Sequence, residues 1–234
     1  PDNLLDIAPS LEQKIHAIEN HDEHLYALKQ AEKQCLEKYR KIADKITKKR
    51  QKGVKLLNKA VTNRMQDLSF SGGSFNVQLH RMDQNIQPYG QESVEFFVTT
   101  NTGQSPQPMT KVVSGGELSR INLALQVITA ESSPPPTLIF DEVDSGIGGQ
   151  TAQVVGQYLN DLGKHSQVLC ITHLPQVAAY GQHHYQIEKH TQQQQTVSEV
   201  KKLNQSERVK EIARMLGGNS RASQTHAKEM LTLA

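Results

Sequence analysis

The sequence predicts an α/β chain in which a mostly parallel sheet with flanking helices follows a long coiled-coil helix. From about Ser10 to Leu68 there is no proline and one glycine, Gly53. Two short apolar runs, at 137–140 and 168–171, are separated by a helical pattern, as buried parallel strands are. A polar or glycine-rich cluster stands directly after each run.

The front of the chain is dominated by Lys, Glu, Gln, Ala and Leu, all good helix formers. Leu11, Ile15, Ile18, Leu25, Leu28, Cys35, Tyr39, Ile42 and Ile46 recur at three- and four-residue steps. They make one narrow stripe, as a coiled-coil seam requires. Asp22 and Lys49 interrupt its register. So thin a stripe predicts a partner helix from outside the sequence. Ser71-Gly72-Gly73-Ser74 breaks the helix, giving expected domains at 1–68 and 69–234. Strand-like runs follow at 75–79 and 94–99, then a Gly/Pro/Gln-rich loop at 101–108. Helices are predicted at 115–130, 149–162 and 174–180, alternating with the two apolar strands. A hairpin pairs 185–188 with 197–201, Gln192 to Gln195 forming its tip, and His183 and His184 read as surface residues. Two helices near 207–216 and 222–233 close the chain, with Gly217-Gly218 as a cap between them.

Composition excludes several classes. Hydrophobic residues are 36% of the 234, low for one compact domain and consistent with an elongated, solvated part. The net charge of +2 gives no global argument for nucleic acid. Cys35 and Cys170 stand in no CxxC or Cys/His pattern, which argues against structural zinc and a disulfide framework and fits a cytoplasmic setting. No apolar run approaches the roughly 20 residues that cross a bilayer, so no membrane partner is expected. A leader is not visible after Pro1, and the missing initiator Met fits a piece of a longer chain.

Three clusters carry chemistry. Ser114-Gly115-Gly116-Glu117 opens a helix; free N–H groups and the positive dipole end there favour a phosphate, and glycine permits close approach. Asp141-Glu142 ends the first apolar strand, at the sheet edge where ligands bind. Asp141 is suited to hold Mg²⁺ directly or through water, and Glu142 to orient and deprotonate an attacking water. Thr172-His173 ends the second strand, where an imidazole could donate to a phosphate oxygen. Singly, each is also an ordinary serine cap, acidic turn or polar strand end. Their order and spacing together are specific.

In that order and spacing the chain resembles the second half of an ABC-type ATPase head. The segments VVSGGELSR (112–120), LIFDEVDSGIGG (138–149), ITHLPQVAA (171–179) and VKEIARMLGG (209–218) resemble the bacterial SMC-like branch that acts in DNA double-strand break repair. The resemblance covers roughly Leu68 to the C-terminus and implies the C-terminal lobe of such a head. It gives Ser114, Gly115, Gly116 and Glu117 as the signature motif, Asp141 as the Walker B metal ligand, Glu142 as the catalytic glutamate and His173 as the switch histidine. Gly148 stands where the wider family often has an aspartate facing the other subunit's nucleotide, so that role is not carried over.

No G-x-x-x-x-G-K-[ST] phosphate loop is present. The resemblance places it in an N-terminal half of the same protein, which ATP and Mg²⁺ would need for full binding. It further implies a homodimer of ATP-bound heads, hydrolysis that releases them, a nucleoid-associated location, and negligible turnover by this chain alone. Between Lys38 and Arg64 stand eleven Lys or Arg and one acid, Asp44. Lys45, Lys48, Lys49, Arg50 and Lys52 are candidate DNA contacts of the sequence-independent, phosphate-neutralising kind. The alternatives are a transporter nucleotide-binding subunit, a structural coiled-coil adaptor, and a nuclease holding metal on Asp141, Glu142 and Asp144.

Overall fold

A computed structural model describes residues 4–82, 86–112, 114–130, 132, 134–192, 195–218 and 220–233. Val113 of the glycine motif and Gln193 and Gln194 of the expected hairpin tip lie outside them. The chain divides into two compact units: residues 1–53 with 79–94, and residues 54–78 with 95–234.

The helix α1 (Leu4–Asp67) runs through Pro9 near its first turns, earlier than the proline alone suggests. A missing N–H costs least close to a fraying helix end. In the first unit the apolar stripe stays open, with Leu11, Ile15, Ile18, Leu25 and Leu28 all exposed. Ala43 is the buried hydrophobic residue there among the described residues. Residues 87–92 are held to the helix by polar groups. Tyr39 Oη donates to the Gln87 carbonyl at 3.2 Å, and Gln91 Nε2 to Asp44 Oδ1 at 2.9 Å. Arg50 Nη1 donates to Glu92 at 2.9 Å and its Nη2 to the Tyr89 carbonyl at 2.6 Å.

In the second unit Val61, Met65, Leu68 and Phe70, the last turns of α1 and the residues after it, are buried. A three-stranded sheet is ordered β1 (Ser74–Arg81), β2 (Glu92–Thr99), β3 (Gln107–Pro108), with β2 and β3 antiparallel. Helix side chains hydrogen-bond the free edge of β1. Thr62 Oγ1 accepts from Phe75 N and Asn58 Oδ1 from Val77 N, each at 3.0 Å. These bonds satisfy backbone groups that a bare edge would expose.

The region that positions the site is a β–α–β unit. After α2 (Gly115–Thr129), the strand β4 (Thr137–Phe140) leads through α3 (Gly149–Gly163) to β5 (Gln167–Cys170). β4 and β5 are parallel, with Thr137 opposite Gln167 and Phe140 opposite Cys170, so the two strands end level. α3 buries Ala152, Val155, Leu159 and Leu162 on one face, as their three- and four-residue spacing predicts. α4 (Pro175–Ala178) is a single turn. The hairpin β6 (Tyr185–Gln192) and β7 (Gln195–Lys202) is longer than its apolar residues indicate. Solvated strands carry no burial pattern to read. α5 (Gln205–Met215) and α6 (Arg221–Leu233) pack through Ile212, Ala213 and Ala227 against Ala178. Gly217 and Gly218 separate them with φ of 105° and 150°, in the region that favours glycine.

His184 departs from its surface reading. It is half-buried where β6 begins, and its Nδ1 is without a hydrogen-bond partner. Burial, then the nearby Arg208 charge, pulls its pKa below the usual imidazole value. His183 is exposed. No helix among the described residues is long and apolar enough to cross a membrane.

Candidate functional site

The level ends of β4 and β5 put Asp141-Glu142 beside Ile171-Thr172-His173. The Ile171 amide extends the ladder by donating to the Phe140 carbonyl at 3.0 Å. Asp141, Glu142 and His173 are all exposed at this edge. Asp141 Oδ1 accepts the Glu142 amide at 2.9 Å, and its backbone carbonyl accepts Ser119 Oγ at 2.8 Å. Glu142 has φ 56°, a conformation uncommon for a residue with a side chain. Such strain persists where the surroundings over-determine the backbone.

The start of α2 meets this edge. Ser114 caps the helix, its hydroxyl accepting the Glu117 amide at 3.3 Å. A methyl group on Gly115 would collide with the Glu142 carboxylate. One on Gly116 would lie 2.9 Å from Ser145 Cβ and 3.1 Å from the Glu142 carbonyl. Glycine at both positions therefore lets the helix start touch the loop after β4. The signature residues and the paired acids are neighbours within the one unit.

Four residues that the expected site set omits tie these parts together. Ser119 and Arg120, one turn into α2, hold the loop from one side. Arg120 is buried, its Nη1 donating to the Ser145 carbonyl at 2.7 Å and its guanidinium 5.5 Å from the Phe70 ring centroid. Burial lowers its pKa, opposed by the charge of Glu117. On the other side Asp144 is buried against β5's end. Its Oδ2 accepts Thr172 Oγ1 at 2.5 Å and the His173 amide at 3.0 Å, and lies 3.3 Å from His173 Nδ1. Thr172 Oγ1 also accepts the Leu174 amide at 3.0 Å, starting α4. The sequence offers Asp144 only as a metal ligand of the nuclease alternative and gives Arg120 no role of its own; the tertiary fold turns both inward. Cys170, beneath the site, has its thiol pushed up to about 12, by burial first and then by the charges of Asp144 and Asp141.

The donor set fits magnesium of the kind that keeps its waters and takes one or two carboxylates plus phosphate oxygens. Asp141 has an oxygen that its Glu142 N–H bond leaves unused. Among the described residues no three His, Cys, Asp or Glu side chains group as a self-sufficient metal site. Asp144, turned inward to residues 172–173, does not join Asp141 and Glu142, which removes the physical basis of a nuclease centre on those three acids.

In the first unit, Lys45, Lys48, Lys49 and Lys52 are exposed, whereas Arg50 is engaged by Glu92 and Tyr89 and only partly exposed.

The chain matches the family described as the RecF/RecN/SMC N terminal domain over residues 10–198. It is 42% identical over 236 residues to the DNA repair protein RecN of Vibrio cholerae, all of this chain aligning to 43% of that protein. With the DNA repair protein RecN of Bacillus subtilis it shares 34% over 249 residues, again all of this chain against 43%. The chain thus spans less than half the length of these curated relatives. Among solved structures, the Smc head domain with a coiled coil and joint from Pyrococcus yayanosii aligns with a TM-score of 0.50 and 20% identity. That alignment covers 70% of this chain and 30% of the other, a likeness of fold.

Proposed function

We propose, from the premise that this chain belongs to the RecF/RecN/SMC N-terminal domain family on its RecN-like branch, that it supplies the signature, Walker B and switch-histidine edge of an SMC-like ATPase working in DNA double-strand break repair. The observation that carries this reading is the meeting of the α2 start with the level ends of β4 and β5. β4 and β5 bring an exposed carboxylate pair and an exposed imidazole to one sheet edge, and a phosphate-friendly helix tip packs against the loop after β4.

The roles follow from the chemistry of each group. Asp141 would hold Mg²⁺, which supplies neutralisation of phosphate charge when bound. Glu142 accepts the proton of a water attacking the terminal phosphate. His173 donates toward the oxygens of that phosphate. Ser114, Gly115, Gly116 and Glu117 present a hydroxyl and helix N-terminal amides to the triphosphate of a facing copy. ATP then joins two heads and its hydrolysis releases them. The main phosphate cradle comes from the N-terminal half of the same protein, so this chain alone turns over negligible ATP. The exposed lysines Lys45, Lys48, Lys49 and Lys52 contact DNA phosphates without reading sequence. A cytoplasmic, nucleoid-associated setting accords with that role.

The test is Glu142→Gln in the full-length protein. Hydrolysis is expected to fall by roughly 10²–10⁴-fold, the usual worth of a general base. ATP binding is retained, and light scattering reports a nucleotide-dependent dimer. A Glu142→Gln protein that hydrolyses ATP at the wild-type rate, or that stays monomeric at saturating ATP, overturns the reading.

A further inference from the structure

Asp144 is a buried carboxylate, its side chain only 3% exposed, a few residues from a catalytic edge that does not use it. Buried carboxylates are costly unless paired or hydrogen-bonded. Among the described residues two donors meet it from the neighbouring strand end, the Thr172 hydroxyl and the His173 amide, and the His173 ring stands with Nδ1 3.3 Å from the same oxygen. The basic side chain nearest to it among the described residues is that of His173. The acid is itself held in place. Val143 before it is fully buried, and the Ser145 carbonyl after it accepts Arg120 Nη1. The turn is closed by Ser145 N donating to the Glu142 carbonyl at 3.0 Å. The imidazole is the opposite case. Its side chain is 72% exposed, with one nitrogen 3.3 Å from the acid. An exposed ring without such an anchor samples several rotamers and both tautomers.

We propose that Asp144 is a positioning residue for His173: it accepts a hydrogen bond from Nδ1–H, fixes the ring's rotamer, and so turns Nε2 to the sheet edge, where the ring donates to phosphate when both nitrogens carry protons. This rests on the ATPase reading given above and deepens it. The physical logic is that of any imidazole whose second nitrogen is bound by a carboxylate, where the outer partner sets which nitrogen faces the reaction. The same oxygen takes the Thr172 hydroxyl and the His173 amide, so the backbone carrying the ring is anchored together with the ring. Because Asp144 follows Glu142 by two residues, any shift of the loop carrying the acid also moves the histidine's anchor. Carboxylate and imidazole are thereby held as one geometric set.

The test has two arms. The first reads the ring directly and needs no nucleotide: ¹⁵N spectra of imidazole at pH about 8, in the neutral-imidazole range, with His173 assigned by His173→Gln. Wild-type His173 is expected mainly as the Nδ1–H form. Asp144→Ala should return it toward the Nε2–H form that free imidazoles favour, and Asp144→Asn, which keeps the shape and removes the charge, should move it the same way if the alanine variant fails to fold. Equal tautomer populations in wild type and a folded variant overturn the proposal. The second arm measures ATP turnover by the full-length protein. Asp144→Asn should lower kcat by roughly 10–100-fold, as loss of an outer-shell partner does, with KM for ATP nearly unchanged. A tautomer shift with unchanged kcat overturns the positioning role. A tautomer shift in a protein whose wild type hydrolyses no ATP supports the Asp144–His173 pairing while sinking the ATPase reading.

Discussion

A single methyl group separates glycine from alanine, and the two glycines at the start of α2 differ in what that methyl would meet. At Gly116 it meets backbone and a Cβ, which cannot move without moving the loop after β4. Gly116→Ala is therefore expected to cost about 1–3 kcal/mol, the range for overpacking a tight contact, measured by urea unfolding. At Gly115 the neighbour is the far end of the Glu142 side chain, which can swing aside. Gly115→Ala should leave stability within about 0.5 kcal/mol, as an uncrowded surface substitution does. Equal destabilisation by the two variants would contradict this account. The same contrast marks what the sequence could reveal at residue scale. Ser114, Asp141, Glu142 and His173 are legible because they stand at ends of elements, where function gathers. Asp144, Arg120 and His184 are not, because nothing local separates a buried charge from a solvated one. Their burial is decided by residues 25 to 30 positions away, as in the Arg120–Ser145 and Thr172–Asp144 contacts.

At the scale of elements, α5 shows a local rule acting alone. Asn204 accepts the Glu207 amide, and the Glu207 carboxylate accepts the Asn204 amide, a complete capping box. Asn204→Ala is expected to cost about 1 kcal/mol, the usual value of an N-cap, as a fall in urea midpoint without a change in slope. A midpoint unmoved by the substitution would show the box to be dispensable. The short apolar strands β4 and β5 and the amphipathic α3 are likewise visible in sequence, α3 by its one buried face and the strands as compact apolar runs, although Ile139 and Leu169 are exposed where the runs suggest burial on both faces. The two-residue β3 is not, since a strand so short and bearing Pro108 has no pattern of its own. The length of the β6–β7 hairpin is hidden for a related reason: pairs such as Glu188 with Glu199 and Lys189 with Ser198 are polar and leave no alternation to read in the sequence.

For the whole molecule, charge is distributed rather than abundant. A net +2 conceals the run of eleven cationic residues from Lys38 to Arg64. Neutralised phosphates release counterions, so affinity for duplex DNA should fall steeply with salt. Lys48→Glu with Lys49→Glu is expected to weaken binding to any sequence and to flatten the log–log salt slope by about 2, read by fluorescence anisotropy. An unchanged slope would place DNA contact elsewhere. Arg50 is best left intact in that experiment, since it braces Glu92 and Tyr89. That brace has a dynamic side. Residues 87–92 are fastened by a handful of polar links where the other unit is fastened by a packed interior, and the buried apolar residue of the first unit, among the described residues, is Ala43. Segments secured in this way open at a free energy far below that of global unfolding. The amide protons of residues 87–91 should accordingly trade with deuterium long before those of β4 and β5, breathing on and off the helix while the β4–β5 edge stays shut.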